Sequence, residues 1–251
     1  AEPRYPGSGG GWSNQNGGPG GGAVRIAATG AVTVNGAINA NGAKAPWTNG
    51  GGGSGGSIWI TCRTLSGAGV LSAQGGLSGS GAGNGNGGGG RIAVHYDSAA
   101  QASAGVPGIA ISTLPGMRAT GRAADVGSVW LTDAQFLVNN TQPRISGWLT
   151  IPGFSSWALD RLTVSNVWLR LSNDGFNLTV SNDLRIVGSE GRLEIGGGAV
   201  WWQPHETGGR DLNFVNYSDT DTLITLACGG DLALDNGGVL AVYSAETNGL
   251  A

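Results

Sequence analysis

The chain has 251 residues, of which 50 are glycine and 39% are hydrophobic, and its formal net charge at pH 7 is -3. The glycines lack the three-residue period of collagen, and the net charge is too small for a disordered, self-repelling chain. Lys and Arg form no basic run and no apolar stretch approaches about 20 residues, so the sequence predicts neither a nucleic-acid partner nor a membrane span.

The chain opens with a segment rich in proline and glycine, AEPRYPGSGGG (1–11). We expect this segment to lie along a neighbouring molecule. A chain that starts Ala1-Glu2-Pro3 is also what cleavage of a signal peptide at a small residue leaves behind. The sequence therefore predicts a secreted or cell-surface location.

Three similar strands then follow with a period of 34 residues: GGAVRI (21–26), GGSIWI (55–60) and GGRIAV (89–94). In each strand the branched residues occupy alternate positions and so share one face. The repeat continues past the strand, since Ile38-Asn39 corresponds to Leu71-Ser72. A fixed period of this length is typical of solenoids, and we predict an all-β fold, a parallel β-helix or β-solenoid.

Long glycine-rich excursions separate these strands, KAPWTNGGGGSGG (44–56) and LSGSGAGNGNGGGG (77–90). Ordered polyglycine needs neighbouring segments that satisfy its backbone N–H and C=O groups. We therefore expect ordered glycine-rich loops that pack on one another or on a second subunit.

The two cysteines are far apart in the sequence. Cys62 occupies the position of Ala28 in the preceding repeat, which predicts a small buried side chain. A disulfide that involves Cys62 or Cys228 is the alternative. A zinc site would need more Cys and His residues than the chain has.

After a predicted connecting segment (101–124), short strands continue in the second half. LTVSN (162–166) recurs at 178–182, and NDLRIVGSEGRLEI (182–195) is echoed by GDLALDNGGVLAV (230–242). Apolar and polar residues alternate in these runs, and Asn, Asp and Gly separate them. We predict a glycine-rich solenoid over 1–100 and a second β-solenoid part over 125–251.

Carboxylates argue against an enzyme. Glu2 and Asp97 are the only ones in the first hundred residues, whereas a glycosidase needs a close pair. In the second half Asp160, Asp183, Glu190 and Glu194 each lie within two residues of an arginine, which predicts solvated ion pairs.

The histidines and the Asp-rich segments give no strong evidence for a catalytic or metal site either. His95 and His205 fit no catalytic triad or metal spacing, so we predict no catalytic residue and no bound metal. SNDGFN (172–177) and SDTDT (218–222) carry oxygen ligands for Ca²⁺, but turn formation is the favoured interpretation and no cofactor is predicted.

Nine tryptophans are the best evidence for binding surfaces. Trp201 and Trp202 are candidates for stacking on a glycan, whereas two others lie in glycine-rich excursions and predict subunit contacts. Neither end of the solenoid carries a capping helix, which favours head-to-tail assembly. The predicted assembly contacts are Tyr5, Trp12, Trp47, Gly51, Gly52, Gly53, Gly87, Gly88 and Gly89.

The phrase GGGGSGGSIWITCRTLSGAGVLSAQGG (50–76), followed by GGGGRIAVHYD (87–97), resembles a known cassette. It is similar to the glycine-rich repeats of giant autotransporter-like surface proteins of planctomycete and verrucomicrobial bacteria, in which such cassettes alternate with segments like 162–195 and 223–243. The resemblance implies an extracellular β-solenoid and no catalytic residue. Those chains are far longer, so this one would be a processed subunit or part of a longer protein.

Together these patterns predict a structural subunit of an extracellular filament or surface layer. It would assemble with itself, head to tail, through its uncapped ends and glycine-rich loops. A glycan-binding or adhesive module with a polysaccharide partner is the alternative, and a polysaccharide lyase or glycosidase is the third hypothesis.

Overall fold

The computed structural model describes residues 2–11, 16–81, 83–117, 123–137, 142–171, 175–196, 199–204, 210–215 and 224–242. Parallel strands dominate and the parallel sheet is strongly curled, so the predicted all-β class is confirmed. The chain forms two compact units, residues 1–152 and 153–251. The predicted division at residues 100 and 125 separates types of repeat rather than compact units, and it stays a prediction.

The first unit is built from the 34-residue repeat. Each of its first two repeats supplies three short strands: β1 (Ala23–Ala27), β2 (Ala31–Thr33), β3 (Ala37–Asn39), β4 (Ser57–Thr61), β5 (Thr64–Ser66) and β6 (Val70–Ser72). β1 pairs with β4, β2 with β5 and β3 with β6, always in parallel. Val24 lies opposite Ile58 and Ile38 opposite Leu71, which confirms the predicted correspondence.

Later turns of the chain extend two of these three sheets. They contain β7 (Arg91–His95), helix α1 (Ser98–Ala104), β8 (Ala110–Ser112), β9 (Ser128–Leu131), a 3-10 turn (Ala134–Leu137) and β10 (Ile145–Thr150). β7 lies between β4 and β9, and β8 lies between β6 and β10. The predicted connection 101–124 thus contributes a strand to the stack.

The branched residues of the repeat form the core of the first unit. The strands of one repeat are here called a row, and successive rows form a stack. Four branched residues are at most 1% exposed, because the rows on either side of them carry apolar side chains at the same positions: Ile58, Ile60, Ile92 and Val94. Their equivalents in β1 are half-buried. Burial therefore increases from the first row of the stack inward.

Helix α1 replaces the strand that would follow β5. Asp97 caps its N-terminus by accepting a hydrogen bond from the Ala100 N–H at 2.8 Å. The buried Gln101 side chain accepts from the Leu65 N–H at 2.8 Å and donates to the Leu65 carbonyl at 3.2 Å. The side-chain amide thus pairs the backbone N–H and carbonyl of Leu65 at the edge of β5. We did not predict this helix, since seven residues are too few to show helical periodicity.

A polar cluster around Asp133 holds the end of β7 to the 3-10 turn. Tyr96 donates to Asp133 Oδ1 at 2.8 Å, Ser98 donates to Asp133 Oδ2, and Gln135 donates from its backbone and its side chain. Burial opposes ionisation of this carboxyl, but the hydrogen bonds outweigh burial and hold the pKa of Asp133 below its ordinary value.

The second unit contains three parallel sheets of three strands. The strands are β11 (Ser156–Leu159), β12 (Leu162–Ser165), β13 (Trp168–Leu171), β14 (Asn177–Val180), β15 (Leu184–Val187), β16 (Arg192–Ile195), β17 (Ala199–Pro204), β18 (Arg210–Val215), β19 (Thr225–Cys228), β20 (Leu232–Asp235) and β21 (Val239–Val242). The sheet orders are β11-β14-β19, β12-β15-β20 and β13-β16-β21, and β17 and β18 form a separate antiparallel pair.

Pairing in this unit distinguishes the two sequence echoes. The echo of 182–195 by 230–242 is a true row, since Leu184 lies opposite Leu232 and Leu193 opposite Leu240. The two LTVS segments are not in one row. Leu162 lies opposite Leu184, and the second LTVS belongs to a different sheet. A row of three strands and two turns needs more residues than this shorter spacing provides.

Turns between the strands follow the predicted chemistry. Asn166 and Asn236 adopt positive φ values of 53° and 51°, and Gly188 and Gly237 do so as well. Asn and Gly tolerate this left-handed region better than other residues. The predicted turn Asp-Asn-Gly-Gly at 235–238 is therefore confirmed, whereas the turns at Asn166 and Gly188 were not predicted.

One predicted surface ion pair is buried instead. Glu194 is fully buried and accepts from Arg170 Nε at 2.5 Å, and Arg192 lies 3.1 Å away. Arg170 and Glu194 occupy paired positions on β13 and β16, so the parallel register brings them together. The prediction of a solvated pair at Glu194 was wrong, because its partner Arg170 is distant in sequence. The predicted pair of Asp160 and Arg161 is exposed, and Arg185 forms an exposed pair with Asp235, which was not predicted.

We expect Glu194→Gln to destabilise the second unit by about 3 kcal/mol, because it leaves two arginines beside a buried neutral amide. Urea unfolding monitored by circular dichroism measures this loss. Asp235→Asn is the matched control, since its partner Arg185 is exposed and the change should be much smaller. Equal effects of the two variants would contradict the assignment.

We also expect a pH-dependent contribution from Asp133. Because its pKa is lower in the folded chain, the carboxylate stabilises the fold above its unfolded pKa, and this contribution is lost as the pH falls through the folded value. The difference in unfolding free energy between wild type and Asp133→Asn should be full at pH 7 and shrink below about pH 4. If the difference in unfolding free energy stays constant as the pH falls to about 2.5, well below the ordinary pKa of an aspartate, the assigned stabilisation by the Asp133 carboxylate is contradicted.

Candidate functional site

The glycine-rich excursions of the first unit lie side by side as extended segments, here called the glycine bundle. Its members are residues 7–11, 17–22, 40–45, 50–56, 73–79, 85–90, 113–116 and 125–127. Backbone hydrogen bonds of 2.7–3.0 Å join neighbouring members. The prediction that the loops are ordered by packing on one another is confirmed.

Segment 50–56 lies at the centre of the bundle, and its hydrogen-bond partners repeat every three residues. Its N–H groups donate in rotation to three neighbours: Gly51 and Ser54 to segment 7–11, Gly52 and Gly55 to segment 85–90, and Gly53 and Gly56 to segment 40–45. A backbone with about three residues per turn, such as polyproline II, directs every third N–H to the same side. The segment therefore has that type of helix, held entirely by hydrogen bonds to other segments.

Carbonyl groups of the same segment accept from two further neighbours. The Gly18 and Gly21 N–H groups of segment 17–22 donate to Gly51 and Ser54, and the Gly76 N–H of segment 73–79 donates to Gly53. Five members of the bundle thus surround segment 50–56. The result is a three-dimensional array of hydrogen bonds rather than a flat sheet.

Close approach of the backbones explains why these residues are glycine. A Cβ at Gly52 or Gly53 would lie 2.0 Å from a carbonyl oxygen, and a Cβ at Gly87 would lie 1.9 Å from the Gly53 oxygen. None of the three has a φ in the left-handed region. Space, and not backbone conformation, excludes every larger residue here, as at the axis of collagen.

The bundle continues directly into the β sheets. The Ser57 N–H donates to the Gly22 carbonyl at 3.0 Å, and the Arg91 N–H donates to the Gly56 carbonyl at 2.8 Å. Each glycine run therefore delivers the next strand in register.

All six predicted glycine contacts belong to the bundle: Gly51, Gly52, Gly53, Gly87, Gly88 and Gly89. Their neighbours in the structure are segments of the same chain. Additional contacts to a second subunit stay a prediction.

Of the predicted aromatic contacts, Tyr5 is 73% exposed and Trp47 is 56% exposed. Both side chains are thus accessible to a partner. Trp12 lies outside the described residues. Trp201 and Trp202 lie in β17, and their side chains are likewise outside the described part of the chain.

An aromatic and cationic cluster that we did not predict lies on the outer face of the first unit. His95 stacks on Trp130 with ring centroids 4.1 Å apart, and the Arg25 guanidinium lies 4.6 Å from the centre of the Trp59 ring. Trp130 lines a cavity of about 200 Å³ together with Tyr5 and Arg91. The contact between Arg25 and Trp59 could have been predicted from the sequence, since the two residues occupy the same position of the 34-residue repeat and so lie side by side on neighbouring strands.

Both cysteines are free thiols, so no disulfide joins them. Cys62 is buried as its repeat position predicts, and burial raises the pKa of its thiol. A neutral buried thiol is a poor nucleophile. Cys228 is half-buried, and its thiol lies 3.2 Å from the Asn182 carbonyl.

Within the described ranges, no group of three or more His, Cys, Asp or Glu residues is placed to hold a metal ion. The SDTDT segment, residues 172–174 of the SNDGFN segment and His205 lie outside those ranges. No helix in the described part of the chain is long and apolar enough to cross a membrane.

Comparisons of this chain with protein-family models, with curated proteins and with solved structures find no match. The resemblance to giant glycine-rich surface proteins therefore stays a prediction. The function must be argued from the geometry of the bundle and the sheets.

Gly87 and Gly85 give a direct test of the bundle. We expect Gly87→Ala to destabilise the first unit by about 1–3 kcal/mol, because its Cβ would overlap the Gly53 carbonyl. Gly85→Ala should be neutral or slightly stabilising, since a Cβ there meets no atom within 4 Å. Thermal and urea unfolding of the two variants measure the difference. Equal stability of the two proteins would contradict the packing described above.

Proposed function

We propose that this chain is a structural module of an extracellular filament or surface layer, with its sheets wound as a β-helix and with copies of itself as partner. Backbone hydrogen bonds hold both of its parts, the parallel sheets and the glycine bundle. Such a framework needs few charged side chains, in keeping with the 12% of charged residues. The extracellular location rests on the resemblance to surface-protein repeats.

Exposed apolar side chains on β20 and β21, in the final row of the described part of the second unit, carry this proposal. Leu232, Leu234 and Val242 are 48–51% exposed, whereas Leu184, Ile186 and Ile195, which lie opposite them one row earlier, are fully buried. Another row of strands on top would bury these side chains, at about 1.5–3 kcal/mol for each. The proposed occupant is the half-buried first row, β1 to β3, of a second copy. Repetition of this heterologous contact builds a filament.

The cavity beside Trp130 favours glycan binding as a second candidate function. Tyr5, Arg91 and Trp130 place an exposed phenol, a guanidinium and an indole around about 200 Å³, and stacking rings with charged donors suit a sugar. This surface lies on the side of the stack, so it is compatible with end-to-end assembly.

Electron microscopy of the purified chain at about micromolar concentration, where specific interfaces form, tests the structural proposal. We expect unbranched filaments with a fixed axial rise. Leu234→Lys should abolish them, because it places a charge on this final row.

The matched control is Val106→Lys, which changes a side chain that is 49% exposed in a loop of the first unit. It should leave the filaments intact. Dispersed monomers of the wild-type chain would overturn the end-to-end assembly, and glycan arrays would then test the second candidate.

A further inference from the structure

The glycine bundle has one open position. Around the central segment 50–56, the five neighbours occur in the order 7–11, 17–22, 40–45, 73–79 and 85–90, and each is hydrogen-bonded to the next. A chain with about three residues per turn has room for six neighbours, three that receive its N–H groups and three that donate to its carbonyls. All three N–H directions are filled, but only two carbonyl directions are. The missing neighbour belongs between segments 85–90 and 7–11.

The three-residue periodicity assigns the Gly52 and Gly55 carbonyls to this open position, since those of Gly51 and Ser54 accept from segment 17–22 and that of Gly53 accepts from segment 73–79. Both residues are buried, and no N–H of the described residues donates to either oxygen. Backbone carbonyls in packed regions are almost always paired, and a sixth neighbour would supply donors to these two as the other neighbours do to the rest of the segment.

A groove lies at the Gly52 end of the position where the missing neighbour would run, and Gly55 lies just beyond its lining. It has a volume of about 900 Å³ including open solvent, and its walls are residues 8–11 and 83–88, with Asn49, Gly51, Gly52 and Ser54 between them. The lining is backbone and small polar side chains. Such a surface offers hydrogen bonds and close approach but no apolar pocket, which suits a polypeptide backbone without bulky side chains.

Glycines on the walls of the groove give a second, independent observation. A Cβ at Gly11 or Gly85, which both line the groove, would meet no atom within 4 Å. Neither residue has a left-handed φ. Glycine costs more conformational entropy on folding than any other residue, and packing inside this chain does not require it at these two positions. Glycine at both positions leaves room for a further segment in the groove.

We propose that this groove binds an extended glycine-rich segment from a second copy of the chain, as the sixth neighbour of segment 50–56. Its N–H groups would donate to the Gly52 and Gly55 carbonyls, three residues apart. The occupant resembles the bundle members themselves, which fill the five equivalent positions. This inference rests on the proposed self-assembly and adds a lateral contact to the end-to-end contact.

A synthetic peptide with the sequence of residues 50–56, GGGGSGG, is the probe. Titration into the isotope-labelled Leu234→Lys chain, which should not form filaments, followed by amide NMR, should give saturable shifts confined to segments 7–11, 50–56 and 85–90. A peptide of equal length with alanine in place of glycine should give none, since its Cβ atoms would meet the groove walls. Absence of saturable shifts with GGGGSGG at about millimolar concentration, the level of weak binding, would overturn the proposal.

Gly85→Leu and Gly11→Leu add a side chain at two lining positions where a Cβ meets no atom of the chain within 4 Å, so we expect both to keep the wild-type melting temperature. Each should weaken peptide binding about tenfold or more, because the peptide loses hydrogen bonds to the floor of the groove. Gly36→Leu is the matched control, since its Cβ also meets no atom within 4 Å and it lies outside the groove. Equal affinity in all three variants would overturn the proposal.

Leu234→Lys separates the two proposals. It should lose filaments and keep peptide binding, whereas Gly85→Leu should lose peptide binding and keep the end-to-end contact of single filaments. If the wild-type chain forms no filaments but binds the peptide, the groove proposal stands and only the end-to-end assembly is overturned.

Discussion

Hydrogen bonding between closely spaced backbones is the interaction on which this whole structure depends. In the bundle, carbonyl oxygens approach within 2.0 Å of the place where a Cβ would stand at Gly52 and Gly53. In the sheets, short parallel strands repeat the same pairing row after row. Side chains fill the core between sheets, but the backbone sets the spacing of every layer.

The two hydrogen-bonded systems support each other. A glycine-rich chain alone would pay a large conformational entropy on ordering, and an isolated row of three-residue strands would be too short to be stable. The chain passes from the bundle into a strand at Gly22, Gly56 and Gly90, and hydrogen bonds continue across each junction. The bundle thus positions the strands, and the apolar rows of the strands hold the bundle segments at contact distance.

Where a row departs from this pattern, a specific polar group compensates. The side-chain amide of Gln101 makes the two hydrogen bonds to Leu65 that the backbone of a further strand would otherwise make. At the next corner, the Asp133 carboxylate accepts hydrogen bonds from Tyr96, Ser98 and Gln135. In the second unit Arg170 balances the buried charge of Glu194. These groups let a repetitive framework accommodate a helix and charged residues, because they pair the backbone of Leu65 and the carboxylates of Asp133 and Glu194.

The sequence by itself determined the all-β class, the 34-residue register and the turn at Asn236, because these depend on side-chain alternation and on local backbone preferences. It also predicted ordered glycine loops, but not which segments would be neighbours. Only the tertiary structure decided that segment 50–56 has five neighbours, that Gln101 ends a sheet, that Leu162 pairs with Leu184 and that Glu194 is buried. Each of these joins residues far apart in the chain, and glycine runs of nearly equal composition carry no local signal that selects one partner over another.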